Sequence, residues 1–335
     1  MAIKTTLIVT AIFLGIGVYF LNQETNNKKK SWTTREYKEF NIPTNEFVSK
    51  YLGYIDVKLP SDLKVKNEFN LQSLELPESY SVAEAHSDCA STTEIRDQSS
   101  CGSCWAVSTE SMLSDRHCIE KKQSTGNIDN TQFSSKQILA NSMFPNQGCN
   151  GGNPVLAARF MKIFGVVTGG KYNTKNTCAP YPFEPCNHHT DDESLKNCSE
   201  LHFTTPKRFN KCVDKSINFN QDKTYVREFF VVKGVENIKR ALVEGGSLTA
   251  AFTVKEGFVG YSEGVYVCSE DEGKALGGHA VRLIGYGVED GVEYWELTNN
   301  WNHNWGNEGK FRVKINDGCG MENMVVGVSG FYNKN

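Results

Sequence analysis

Cysteine is missing from the first 88 residues, although the 335-residue chain holds 11, all between Cys89 and Cys319. That break points to a cysteine-free leader ahead of a disulfide-stapled domain. Long blocks of one charge are also missing. Net charge is −3, and Lys28-Lys29-Lys30 is too short to act as an interaction tail. A nucleic-acid role would need a strongly positive face, so that class is set aside. No internal repeat is present. The one long apolar run, Thr5–Leu21, has Lys4 as the only charge before it and no clean small-x-small cleavage pattern after it. It is long for a signal core and short for a comfortable membrane span. The favoured reading is a signal peptide over 1–21, with an uncleaved signal anchor as the alternative. Either would send the chain into the secretory pathway, to a lysosome or outside the cell.

Between this run and the first cysteine the sequence is polar. "NQETNNKKKSWTTREYKEF" reads as loosely helical, with Trp32, Tyr37 and Phe40 forming a thin apolar stripe. Residues 22–75 read as a pro-segment, and 76–335 as the mature domain. A helix is expected from Cys104 to about Glu120, because Trp105, Met112 and Ile119 recur at sevens beside Val107 and Leu113. "SSKQILANSMF" and "NPVLAARFMKIFG" read as further helices, the latter with Pro154 in its first turn and Gly165 as its stop. Residues 170–222 read as long stapled loops. In the last third, "HAVRLIGYGV", "EYWELTN" and "GKFRVKIN" read as strands between glycine-rich turns. Helices first and strands later give an α+β chain with two lobes.

The stretch "QSSCGSCW" (98–105) is chemically ambiguous. A Cys-x-x-Cys pair serves redox exchange, zinc binding, a disulfide end or a nucleophile. An oxidising compartment disfavours a zinc cluster, and no second close pair completes one. A thiol at a helix start is favoured as thiolate. It would then need a base, an orienting group and oxyanion donors. His279 opens a strand behind two glycines, Asn299 ends one just before Trp301, and Gln98 precedes Cys104 by six residues. Each also has an ordinary structural reading, and spacing alone leaves the choice open.

Four motifs narrow it. "QSSCGSCW", "GCNGG" (148–152), "GGHAV" (277–281) and "TNNWNHNWGNEG" (298–309) resemble, in order, those of papain-like cysteine proteases. "CNHH" (186–189) in a cysteine-bounded loop is similar to the cathepsin B branch. The resemblance implies a papain-like two-domain fold, with a helical left domain, a β-barrel-like right domain and a cleft between them. It implies Cys104 as nucleophile, His279 as base and acid, Asn299 as its orienter, Gln98 as oxyanion donor and Trp301 as cover. It also implies disulfides Cys89–Cys118, Cys101–Cys149, Cys178–Cys212, Cys186–Cys198 and Cys268–Cys319, leaving Cys104 free.

Further expectations follow from the same likeness. Gly151, Gly152 and Gly278 would face the substrate backbone. Segment 186–198 would be an occluding loop, whose His188 and His189 hold a substrate's terminal carboxylate, with Asp97 as partner to the first. The loop's second clamp, an Arg–Asp pair in the family, is replaced by Ser194 and Asn304, which implies a looser loop. Met324 stands where a glutamate usually accepts arginine, between Ala251 and Ala280, which implies preference for apolar residues there. Asn153 replaces an aromatic, and Asn300 a serine. The sequon at Asn197 has a bridged cysteine in its middle, so glycan occupancy is not expected. The implied protein is a monomeric zymogen needing no metal or organic cofactor. Its partners would be peptide or protein substrates, its own pro-segment and cystatin-type inhibitors. The alternatives are a catalytically silent binding protein on the same fold, or a secreted redox protein in which Cys101 pairs with Cys104.

Overall fold

The structure is a computed structural model that describes residues 30–37, 44–69, 75–142, 144–187, 194–317 and 319–334. The apolar run 5–21, Phe40, and the loop histidines His188 and His189 lie outside the described residues. Among the described residues, no helix is long and apolar enough to cross a membrane. The described residues from Trp32 onward belong to one compact unit.

In this unit, the leader gives β1 (Trp32–Thr34), α1 (Thr44–Tyr51) and β2 (Lys64–Val65). The next part gives β3 (Tyr80–Ser81), α2 (Val82–Ala85), α3 (Cys104–Thr125), α4 (Ser135–Asn141) and α5 (Pro154–Phe164). The last third gives β4 (Thr224–Val232), α6 (Val235–Gly245), β5 (Leu248–Lys255), α7 (Glu256–Val259), β6 (Tyr261–Tyr266), β7 (Ala275–Glu289), β8 (Val292–Thr298), β9 (Lys310–Lys314) and β10 (Val325–Asn333). The long helices α3–α5 therefore precede the long strands β4–β10, with α6 and α7 falling among those strands. The strands form one path, β1-β6-β9-β8-β7-β5-β10-β4-β2, with β3 beside β7. The path is open, so the barrel-like right domain is instead a sheet with two ends. Both ends carry a strand of the leader: β1 is antiparallel to β6, and β2 is parallel to β4. Exposed sheet edges invite wrong pairing, and here the leader covers them. Trp32, expected on a helix, sits on β1 and stacks against Tyr261 instead. Pairing with a distant strand overrides its weak local helical pattern.

Helix α3 is longer than expected and has no solvent face until its last turns. Every residue from Cys104 to Ile119 is buried. It ends at Gly126, whose left-handed backbone (φ 74°) suits glycine. Its polar residues are satisfied inside the protein, as burial demands. Glu110 pairs with Arg96. Asp115 holds Arg282, 2.9 Å away, and accepts from Ser247 Oγ at 2.6 Å. Arg116 donates to the carbonyls of Val328, Gly246 and Ser247. One apolar cluster packs Trp105, Phe133 and Met161 against Val326 and Val328 of β10. A second gathers Trp301, Trp305, Phe258, Tyr261 and Phe311 under the other half of the sheet. Cys104 belongs to the first and Trp301 to the second, so the candidate site lies where the two cores meet.

The five disulfides are Cys89–Cys118, Cys101–Cys149, Cys178–Cys212, Cys186–Cys198 and Cys268–Cys319, and Cys104 is the free cysteine. The redox alternative needed Cys101 bonded to Cys104; Cys101 is engaged elsewhere.

Candidate active site

Cys104 is the first residue of α3, and its side chain is fully buried. The nearby backbone amides of Ala280, Gly53 and Trp105 favour its ionised form. Burial nevertheless dominates and pushes the thiol up to about 12. Ser103, the residue before, is fixed by a 2.7 Å bond to Tyr181 Oη, which also donates to Gln98 O at 2.8 Å.

His279 lies on β7 opposite Phe252 of β5. Its Nε2 is 2.8 Å from Asn299 Oδ1. The Asn300 amide donates to the same Oδ1 at 2.8 Å. An acceptor shared with a backbone N–H must be the amide oxygen, so His279 Nε2 carries the hydrogen. Nδ1 is then the basic nitrogen of the neutral ring, and it is buried with no protein partner. Trp301 stacks on the imidazole, 4.7 Å between centroids and 29° between planes. Burial pulls His279 down to about 4, against the opposing pull of Asn299.

The leader fills this site. Gln98 Nε2 donates to Cys101 O at 2.7 Å, to Lys50 O at 3.2 Å and to Tyr51 O at 3.3 Å. Trp301 Nε1 donates to Tyr51 O as well. The last carbonyls of α1, those of Lys50 and Tyr51, thus take the donors of the site. Beyond α1 the chain is extended. Gly152 N donates to Gly53 O at 2.8 Å, Ile55 N to Gly152 O at 2.9 Å, and Tyr54 N to Gly278 O at 3.0 Å. Tyr54 is parallel to Gly152 and antiparallel to Gly278. These glycines are needed for close approach: a Cβ on Gly278 would meet Tyr54 Cδ1 at 2.6 Å, and one on Gly151 would meet Ile55 at 2.8 Å. Arg35 reaches Asn304 O from the same leader.

The structure also gathers the apolar trio expected around Met324. Ala251 pairs with Ala280 across β5 and β7, and its amide donates to Met324 O at 3.0 Å. Tyr54 and Leu63 of the leader pack on the cluster containing all three. Asp97, expected beside His188, accepts from the amides of Ser99 and Cys186. Three contacts had no clear signal in the sequence. Lys50, buried in α1, donates to the carbonyls of Ser199 and Cys198 at the foot of the 186–198 loop and pairs with Glu46 at 2.8 Å. Asn153 caps α5 through Val155 N, which an Asn before Pro154 could have announced, and also donates Nδ2 to Ile55 O at 2.9 Å. Asn300 donates its side-chain amide to Ala280 O.

A buried thiol, an imidazole held by an amide oxygen, an indole lid and a leader lying through the cleft are the parts of a silent thiol protease. Comparison with known proteins agrees. The pattern of the family described as "Papain family cysteine protease" matches residues 76–329. "Cathepsin B-like cysteine proteinase 6" of Caenorhabditis elegans is 39% identical over 313 residues, covering 90% of this chain and 80% of that one. "Cathepsin B-like cysteine proteinase 1" of Ostertagia ostertagi is 34% identical, covering 82% of this chain and 80% of that one. Among solved structures, "proCathepsin B S9 from Trypanosoma congolense" superposes with a TM-score of 0.76 at 30% identity, covering 93% of this chain and 97% of that one. The chain is therefore a member of the papain family of cysteine proteases, cathepsin B-like, in the form of a zymogen.

Proposed function

We propose that Cys104 is the nucleophile of this protease and His279 its base and acid. The observation that carries the reading is the tautomer of His279. Asn299 Oδ1 fixes the hydrogen on Nε2 and leaves Nδ1 free to take the thiol proton. The thiolate attacks the peptide carbonyl, and the oxyanion is met by Gln98 Nε2 and the Cys104 amide. His279 then protonates the leaving amine, the acyl-enzyme forms, and the imidazole activates water to release the acid. Trp301 keeps water from the His279–Asn299 bond.

The leader, over 22–75, acts as the inhibitor. It runs parallel to Gly152, so a substrate pairing antiparallel there would travel the opposite way, and Gly53 rather than a scissile bond sits against the thiol. Burial beneath it keeps both groups neutral. Removing it would rehydrate the pair and favour the thiolate and imidazolium.

Met324, Ala251 and Ala280 make an apolar pocket, in which an unpaired guanidinium would be costly to bury. The proposed preference at the second residue before the cut is Leu, Val or Phe over Arg. With Ser194 and Asn304 in place of an ion pair, the proposed balance leans to endopeptidase over dipeptide-removing activity. His188 and His189 would serve the latter as imidazolium, hence at mildly acid pH. A monomer that meets cystatin-type inhibitors, in a lysosome or outside the cell, is part of the same reading.

The test is hydrolysis by the processed form. Cys104→Ala should lower turnover at least about a thousandfold, the scale on which nucleophile loss acts. A Phe-Arg reporter should be cut at least about tenfold faster than an Arg-Arg reporter, as one buried unpaired charge demands. Equal rates would refute the pocket assignment. Fast removal of dipeptides with a long internal substrate left intact would refute the endopeptidase balance.

A further inference from the structure

We infer that Asn300 is a positioning residue, whose side chain holds the His279–Ala280 strand in register with the nucleophile. The inference rests on the protease reading above. The β7–β8 ladder has Arg282 opposite Thr298 as its last pair on this side. Continued two residues on, the same antiparallel register sets Ala280 opposite Asn300. Backbone pairing has stopped there, because the Asn300 N–H is turned to Asn299 Oδ1 at 2.8 Å. The side chain supplies the missing donor: Asn300 Nδ2 binds Ala280 O at 3.1 Å. Ala280 matters for chemistry because it directly follows the base His279 on β7, and its backbone amide favours the ionised form of Cys104. Asn300 O in turn accepts from Gln98 N at 2.8 Å. One residue therefore touches the orienter of the base, the strand that carries the base, and the backbone of the oxyanion donor.

The cost of keeping Asn300 supports this role. It is only 3% exposed, and its Oδ1 has no protein partner. A buried unsatisfied acceptor is destabilising, and an apolar side chain kept for packing alone would avoid that cost. Nδ2 justifies the amide by anchoring Ala280. Without that anchor, the strand that carries His279 is free to shift, and small displacements at reacting groups carry large kinetic penalties.

The test uses the full chain, expressed and then processed, with turnover normalised to thiol titrated by an epoxide inhibitor. Asn300→Ala should lower kcat about tenfold with KM changed less than about threefold, since a transition-state contact is lost and not a substrate contact. The acid limb of the kcat/KM profile should move up by about half a pH unit, because the thiolate loses one aligned donor. Asn300→Ser keeps a donor on a shorter arm and should fall between wild type and Ala. It carries the test should the Ala variant not fold. Turnover per titrated site and an acid limb that stay at wild-type values in the folded variants would overturn the inference, even if their melting temperature drops. If the wild type itself titrates no reactive thiol, the protease reading fails and this inference falls with it.

Discussion

At the residue scale, the proposed chemistry depends on two groups held away from their charged forms. In the closed zymogen Cys104 stands near 12 and His279 near 4, so both are neutral at pH 7. The two contribute to stability in opposite windows. A thiol whose folded value is raised keeps its contribution below its ordinary value and loses it only at strongly alkaline pH. An imidazole whose folded value is depressed contributes above its ordinary value of 6.5, and that contribution is lost as pH falls through about 4. For His279 the loss is about 3 kcal/mol, at 1.36 kcal/mol for each pH unit of displacement. Buried His117 is displaced in the same direction, so a variant is needed to separate them. Thermal unfolding of the full chain between pH 7 and 4 should show a shallower loss of stability in His279→Gln than in wild type. Parallel curves would remove His279 from the acid response. The residues of this pair were legible because each sits in a short contiguous motif. Asn300 was visible as a letter but not as a contact, since its partner Ala280 lies 20 residues earlier on another strand.

At the element scale, α3 shows what a periodic pattern can and cannot reveal. Trp105, Met112 and Ile119 announced the helix. Its charged residues Glu110, Asp115 and Arg116 carry no local sign of burial, yet all three are buried. Their partners, Arg96, Arg282 and the carbonyls of Val328, Gly246 and Ser247, come from distant parts of the chain, and no local window contains them. The leader shows the same limit. Its weak stripe suggested a helix, whereas β1 and β2 are set by the sheet edges they cover. Its grip on the cleft can be tested where it is tightest. A Cβ on Gly53 would lie 2.1 Å from Gly102 O, a backbone atom that cannot swing aside. Gly53→Ala should therefore lift the leader from the thiol without touching the mature sequence. The unprocessed variant should react with a small thiol reagent at least about tenfold faster than the unprocessed wild type, the change expected for about 1.4 kcal/mol of lost closure. Unchanged reactivity would mean that Gly53 does not hold the seal.

At the scale of the whole molecule, two apolar cores meet at one buried sulfur, and ten other sulfurs are locked in five bridges. Four bridges lie in the helical and loop part, and Cys268–Cys319 ties loops among the later strands, while the leader caps both ends of the sheet and threads the cleft between Gly152 and Gly278. Silence in this form needs no distortion of the site: the His279–Asn299 bond and the Trp301 lid are already in place. In the proposed mechanism, Cys104 is a reactive nucleophile masked only by the leader. The most direct measurement is mass-spectrometric mapping of an epoxide thiol inhibitor on the chain before and after leader removal. One adduct is expected, on Cys104, in the processed form, with little or none in the intact chain. An adduct elsewhere, or equal labelling of Cys104 in both forms, would contradict it.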